Sequence, residues 1–123
     1  MEIYTDIRER MVVLTPAGNK LISANASALK ARLTQVQSEG HRNIIMNLEN
    51  ISFVDSSGLS ALLVGNRVCR ESKGSFVMTG IHEHVLKLIH IAQLHSVLII
   101  VPTLSEASDL ILMDEIEKDL SDS

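Results

Sequence analysis

The chain has 123 residues, a formal net charge of −4 and a single cysteine, Cys69. That length is close to the commonest size of one domain and allows a core that needs no covalent staple, and one cysteine excludes an intramolecular disulfide. The acidic balance, the lack of a basic cluster and the presence of only Tyr4, Phe53 and Phe76 as aromatics argue against nucleic acid as a partner, because phosphate binding needs clustered Lys and Arg and base binding needs stacking platforms.

The N-terminal stretch MEIYTDIRER is charged and has no apolar signal region. The run VLIIV at 97–101 is far too short to cross a bilayer. A cytoplasmic protein with no membrane partner is therefore expected. Residues 2–9 alternate through Ile3, Thr5 and Ile7 as a first strand, and 11–16 form a second. Arg-Glu-Arg between them suits a tight hairpin, and 16–19 reads as a loop. From Ser23 the period changes: Ala26, Leu29, Leu33 and Val36 share one helical face. Ser23 or Asn25 can cap its start and Gly40 its end. Residues 43–48, NIIMNL, form a continuous apolar run, as in a strand buried on both faces.

Beyond Asp55-Ser56-Ser57-Gly58, Leu59, Leu62 and Leu63 recur at helical spacing, with Ala61, Val64 and Val68 widening the stripe towards an end near Lys73-Gly74. Residues 75–79 form the next strand, closed by Gly80. Residues 82–94 place Val85, Leu88, Ile89 and Ala92 on one helical face. Residues 97–101, VLIIV, read as another buried strand, stopped by Pro102. Thr103 and Glu106 have the spacing of a capping box, and Ala107, Leu110, Ile111 and Ile116 are expected to face inward on the last helix. Residues 115–123 are expected to form a polar, partly frayed tail. The order β-β-α-β-α-β-α-β-α predicts an α/β fold: a mixed, mostly parallel sheet of about five strands with four helices. No repeat or linker divides the chain, so a single domain over 1–123 is expected.

Ser56 and Ser57 lack the Gly-x-Ser-x-Gly elbow of a nucleophilic serine, and one glycine without a lysine is no phosphate-binding loop. His82, Glu83 and His84 do not make a zinc-protease pattern, because position 86 is Leu. Solvated histidines, at these positions and at His90 and His95, are the simpler reading. No metal, no cofactor and no enzymatic activity are expected. Asp55-Ser56-Ser57-Gly58 sits where a strand passes into a helix. Asp55 there is an ordinary N-cap. Ser56 is also well placed to carry a phosphate, because free amides and the helix dipole favour negative charge, and phosphorylation adds about −1.5 to −2 charges near pH 7.

The segment IIMNLENISFVDSSGLSALL resembles the signature of STAS domains, the anti-sigma factor antagonists of bacteria. Phe53, Val54, Asp55, Ser56, Ser57, Gly58 and Leu59 match its pattern in order, and VPTLSEASDLI resembles the family's entry into its last helix. The resemblance spans roughly residues 2 to 113 and implies the STAS-like fold. It also implies a phospho-switched binding module. Unphosphorylated, such a protein docks an anti-sigma factor that is itself a serine kinase of the GHKL ATPase type. Phosphorylated, it is released, and a phosphatase of the PP2C type resets it. By resemblance Ser56 is the phosphoacceptor, with Asp55, Ser57, Gly58 and Leu59 in the docking surface. Many members carry Gly-x-[Leu/Ile]-Asp before the first helix. Asn19-Lys20-Leu21-Ile22 stands there instead, so that Asn19, Ser23 or Asn25 would supply the polar contacts. The resemblance also admits a scaffold subunit of a transport ATPase or stress-signalling complex, without phosphorylation. A monomer or weak dimer is expected.

Overall fold

The first two strands, β1 (Ile3–Ile7) and β2 (Val12–Pro16), pair antiparallel with Ile3 opposite Pro16 and Ile7 opposite Val12. Arg8 N donates to Met11 O at 2.8 Å to close the expected hairpin. The chain then alternates strands and helices: β3 (Lys20–Leu21), α1 (Ser23–Ser38), β4 (Ile44–Asn47), β5 (Phe53–Val54), α2 (Ser56–Glu71), β6 (Phe76–Thr79), α3 (Glu83–Ile91), β7 (Ile99–Ile100) and α4 (Leu104–Ser121). This architecture comes from a computed structural model that describes residues 1–121.

Five strands form the main sheet in the order β1-β2-β4-β6-β7, and all its pairs except β1–β2 are parallel. The continuous apolar run of β4 has the expected cause. Ile44 and Met46 face one layer of helices and Ile45 faces the other, all fully buried. On one face Leu14, Ile44, Met46, Phe76 and Met78 pack with Leu29 and Leu33 of α1, Leu62 of α2 and Ile89 of α3. Each such side chain contributes about 1.5–3 kcal/mol by leaving water. On the other face Val13, Ile45 and Val77 pack with Ala107 and Ile111 of α4, flanked by Val101 and Leu104. Three helices therefore cover one side of the sheet and a single helix the other.

Gly40 ends α1 in the left-handed region at φ +94°, as a C-terminal glycine usually does. At the end of α2 that conformation falls to Lys73 at φ 60° rather than to Gly74. Gly74 is small for another reason: a Cβ there would run into the backbone of Arg42.

Several expectations are corrected. α4 continues to Ser121 instead of fraying from 115, because Glu115 is anchored. It is 3% exposed and accepts from Arg42 Nε at 3.0 Å, from Arg42 Nη2 and from Asn43 Nδ2. Asp122 and Ser123 lie outside the described residues. The inner face of α4 is Ala107, Ile111 and Glu115, so Leu110 and Ile116 turn outward, 41% and 57% exposed. α3 ends at Ile91 and leaves Ala92 exposed, and the expected buried strand over 97–101 is only β7, a two-residue strand at the sheet edge with Ile99 exposed. Two further strands, β3 and β5, form a separate parallel ribbon. Among the described residues no helix is long and apolar enough to cross a membrane.

Candidate functional site

The β3–β5 ribbon builds the site. Lys20 lies opposite Phe53 and Leu21 opposite Val54. β3 feeds α1 and β5 feeds α2, so the parallel pairing sets the first turns of the two helices side by side. Asn19 O accepts from Ser52 N at 2.8 Å and Phe53 N at 3.3 Å, and Leu21 O accepts from Asp55 N at 3.2 Å. Two-residue strands carry too little periodicity to be read from sequence; the short apolar pairs Leu21–Ile22 and Phe53–Val54 are the only hint of them.

Asp55 caps α2 with extended backbone at φ −100°, and its Oδ1 accepts from Gly58 N at 2.9 Å. Its other oxygen, Oδ2, accepts from Ser23 N at 3.1 Å. One carboxylate thus takes amides from the starts of two helices, where orphan N–H groups and both dipoles favour negative charge. The Gly58 amide bond, helped by that of Ser23 and opposed by desolvation, holds the Asp55 carboxyl below its ordinary value. Gly58 is buried, and a Cβ there would fall on Leu21 O and lie 2.7 Å from Val54 Cγ1. It is glycine because the two helix starts approach each other that closely.

Ser56, the first residue of α2, is exposed, and Ser57 is half-buried. Leu59 is 9% exposed and packs in the main core, so Gly58 and Leu59 shape the turn from within instead of offering an outer surface. Ser23 and Asn19 are exposed beside the junction. Asn25 is committed to its own turn: its Oδ1 accepts from Ile22 N at 2.9 Å and its Nδ2 donates to Lys20 O at 2.9 Å. Ile22 occupies the cap position of α1, and Asn25 compensates for a residue that has no capping side chain.

A third helix start joins the group. His82 precedes α3, and its Nε2 lies 2.7 Å from Glu49 O. The His84 ring stacks on Phe53 at a centroid distance of 6.1 Å and an interplanar angle of 18°. Phe53 is 43% exposed, so its stacked pair with His84 starts three residues before Ser56 in the chain. The aromatic two residues before Asp55 is the available signal in sequence; its histidine partner, 31 residues on, is not foreseeable from it. Among the described residues no group of three or more His, Cys, Asp or Glu is placed to hold a metal. His90 and His95 stack on each other at 4.5 Å, away from the three converging helix starts.

The arrangement can present an exposed hydroxyl on a rigid frame and receive or repel charge there. The comparisons with known proteins agree with that frame. The profile of the STAS domain matches residues 2–107. BtrV of Bordetella bronchiseptica, assigned as an anti-sigma factor antagonist, is 29% identical over 70 residues, 57% of this chain and 60% of that protein. The chain thus spans less than two thirds of that relative's length. The anti-sigma-B factor antagonist of Staphylococcus aureus is 27% identical over 77 residues, 63% of this chain and 71% of that protein. Among solved structures, an anti-sigma factor antagonist assigned in Thermotoga maritima superimposes with a TM-score of 0.82 at 24% identity, covering 89% of this chain and 93% of that one. The Bacillus cell-fate determinant SpoIIAA in its phosphorylated form superimposes with a TM-score of 0.69 at 22% identity, covering 89% and 99%. At such identities these two likenesses establish the fold.

Proposed function

The chain belongs to the STAS domain family, and from that premise we propose that it is an anti-sigma factor antagonist switched by phosphorylation of Ser56. The observation that carries this reading is the exposed Ser56 at the first turn of α2, directly after the Asp55 clamp. Relatives named as anti-sigma factor antagonists support the class of function, and a similar fold solved in a phosphorylated form supports the switch.

Unphosphorylated, the protein docks an anti-sigma factor through the surface around Ser56, with Asn19, Ser23, Ser57 and the Phe53–His84 platform at its border. The partner is a serine kinase of the GHKL ATPase type, which supplies ATP and the catalytic groups. The chain itself contributes the acceptor hydroxyl and performs no turnover. The γ-phosphoryl group passes to Ser56 Oγ, which loses its proton, and ADP leaves. The new dianion sits beside the Asp55 carboxylate, and like charges at short range disfavour an acidic partner surface. Because the hydroxyl faces solvent, the phosphate needs no rearrangement of the core. A PP2C-type phosphatase restores the docking form.

Incubation of the purified chain with a GHKL-type anti-sigma kinase and radiolabelled ATP tests this. One phosphate is expected, on Ser56 by mass spectrometry. Ser56→Ala should remove it and Ser57→Ala should retain it, while Ser56→Asp should weaken the complex. A label that persists in Ser56→Ala would overturn the assignment.

A further inference from the structure

The outer face of α4 is unlike that of any other helix in the fold. Its inner face is occupied by the sheet, through Ala107 and Ile111, and by the Glu115 ion pair. Yet Met113, Ile116 and Leu120, spaced three and four apart, form a second apolar ridge on the opposite side, 63%, 57% and 69% exposed. A surface helix normally needs one apolar stripe. Two stripes mean a second packing surface, and contiguous exposed apolar area marks an interaction site.

Charge selects the occupant. α4 carries six carboxylates, Glu106, Asp109, Asp114, Glu115, Glu117 and Asp119, against the single base Lys118. Lys118 is already engaged, donating to Lys73 O at 2.6 Å and pairing with Asp114 at 3.1 Å. Glu106, Asp109 and Glu117 are exposed and flank the ridge without an ion pair among the described residues. A second copy docking by this face would set carboxylates against carboxylates. An anionic membrane surface would be repelled for the same reason. A helix with an apolar stripe edged by Lys and Arg satisfies both the ridge and its flanks.

We propose that the outer face of α4, with Met113 and Ile116 at its centre, is a docking surface for a basic amphipathic helix of another protein. It lies across the sheet from α2, so it is independent of Ser56 and leaves that site free.

The test uses the full chain and a synthetic helical peptide with a leucine stripe flanked by lysines, followed by fluorescence anisotropy and amide chemical shifts. The expected result is binding that shifts the amides of 109–120, that weakens with added salt and that falls at least about ten-fold in Ile116→Glu, since docking would bury an unpaired charge. Circular dichroism of Ile116→Glu should be unchanged, because the side chain is exposed. Met113→Glu is a second, independent variant. Ser56→Asp should bind the peptide as the unmodified chain does. The proposal fails if a lysine peptide with a scrambled stripe binds equally, or if the stripe flanked by glutamates does. It fails if the shifts map elsewhere or if Ile116→Glu and Met113→Glu have no effect. It also fails if sedimentation shows dimers lost in Ile116→Glu, or if Ile116→Glu abolishes binding to phosphatidylglycerol vesicles.

Discussion

Ser23 and Asp55, 32 residues apart in sequence, are joined by a hydrogen bond of 3.1 Å from the Ser23 amide to Asp55 Oδ2. The other oxygen of the same carboxylate accepts from Gly58 N at 2.9 Å. The β3–β5 ribbon aligns the two chain segments and the carboxylate locks them, so the platform beneath Ser56 belongs to two helices rather than one.

If Asp55 is this lock, its charge must matter to stability. Its folded carboxyl is held below its ordinary value, first by the Gly58 amide. A depressed folded value contributes stability that is fully present above the unfolded pKa and is lost as pH falls through the folded one. Thermal melts of the native chain and of Asp55→Asn should therefore differ by a constant amount above about pH 5 and converge below about pH 4. A gap that stays constant down to low pH would show that the ionised carboxylate is not the lock.

Gly58 should tolerate no side chain. In Gly58→Ala the new methyl meets the backbone carbonyl of Leu21, which the ribbon holds in place, and Val54 Cγ1. Neither is the far end of a flexible side chain. A loss of about 2 kcal/mol in urea unfolding is expected, with amide shifts at both 20–25 and 53–58. Shifts confined to α2 would mean that the two helix starts are not in contact.

The relation between these residues also marks where sequence reading stops. The buried strands β4 and β6 are legible as continuous apolar runs, and the inner faces of α1 and α2 because Ala26, Leu29, Leu33 and Val36, or Leu59 and Leu62, repeat at helical spacing and are all buried. Asp55 was legible as a cap because capping is local. Its second bond, to Ser23, was not, since it depends on two strands of two residues each. The inner face of α4 is hidden from the sequence for a related reason. Leu110, Met113, Ile116 and Leu120 are as apolar as Ala107 and Ile111, and the residue that fixes the phase of the helix is the charged Glu115. The distant Arg42 and Asn43, with Arg10 Nη1 3.9 Å away, turn a glutamate into an inward-facing residue.

That anchor makes a strong prediction. Glu115 is 3% exposed and takes bonds from Arg42 and Asn43, while Asn43 also donates to Arg10 O at 3.0 Å. Glu115→Ala leaves the buried Asn43 amide short of a partner. A cost of about 2–3 kcal/mol is expected, below that of a fully buried ion pair because Arg42 reaches solvent. Proteolysis should then cut α4 first. The Arg42 hydrogen bond holds the Glu115 carboxyl below 4.5, so this contribution too is present above the unfolded pKa and fades as pH falls through the depressed value. A Glu115→Ala variant whose α4 resists protease as the native chain does would remove the anchor from the account.

Cys69 reports on the integrity of the same core from inside. It is 2% exposed in α2, and burial pushes its thiol up to about 12. A thiol reacts as its thiolate, so at pH 8 the folded chain should be nearly inert to Ellman's reagent and should titrate one thiol in urea. The rate of labelling in water then measures opening of the side of the sheet covered by α1, α2 and α3. Gly58→Ala should accelerate that rate, because the strain lies in the first turn of the helix that carries Cys69. Ser56→Ala and Ser56→Asp should leave it within about two-fold, since an exposed position typically changes stability by no more than about 0.5 kcal/mol. If Ser56→Asp accelerated labelling as strongly as Gly58→Ala, charge at Ser56 would be loosening the core itself rather than altering only the surface.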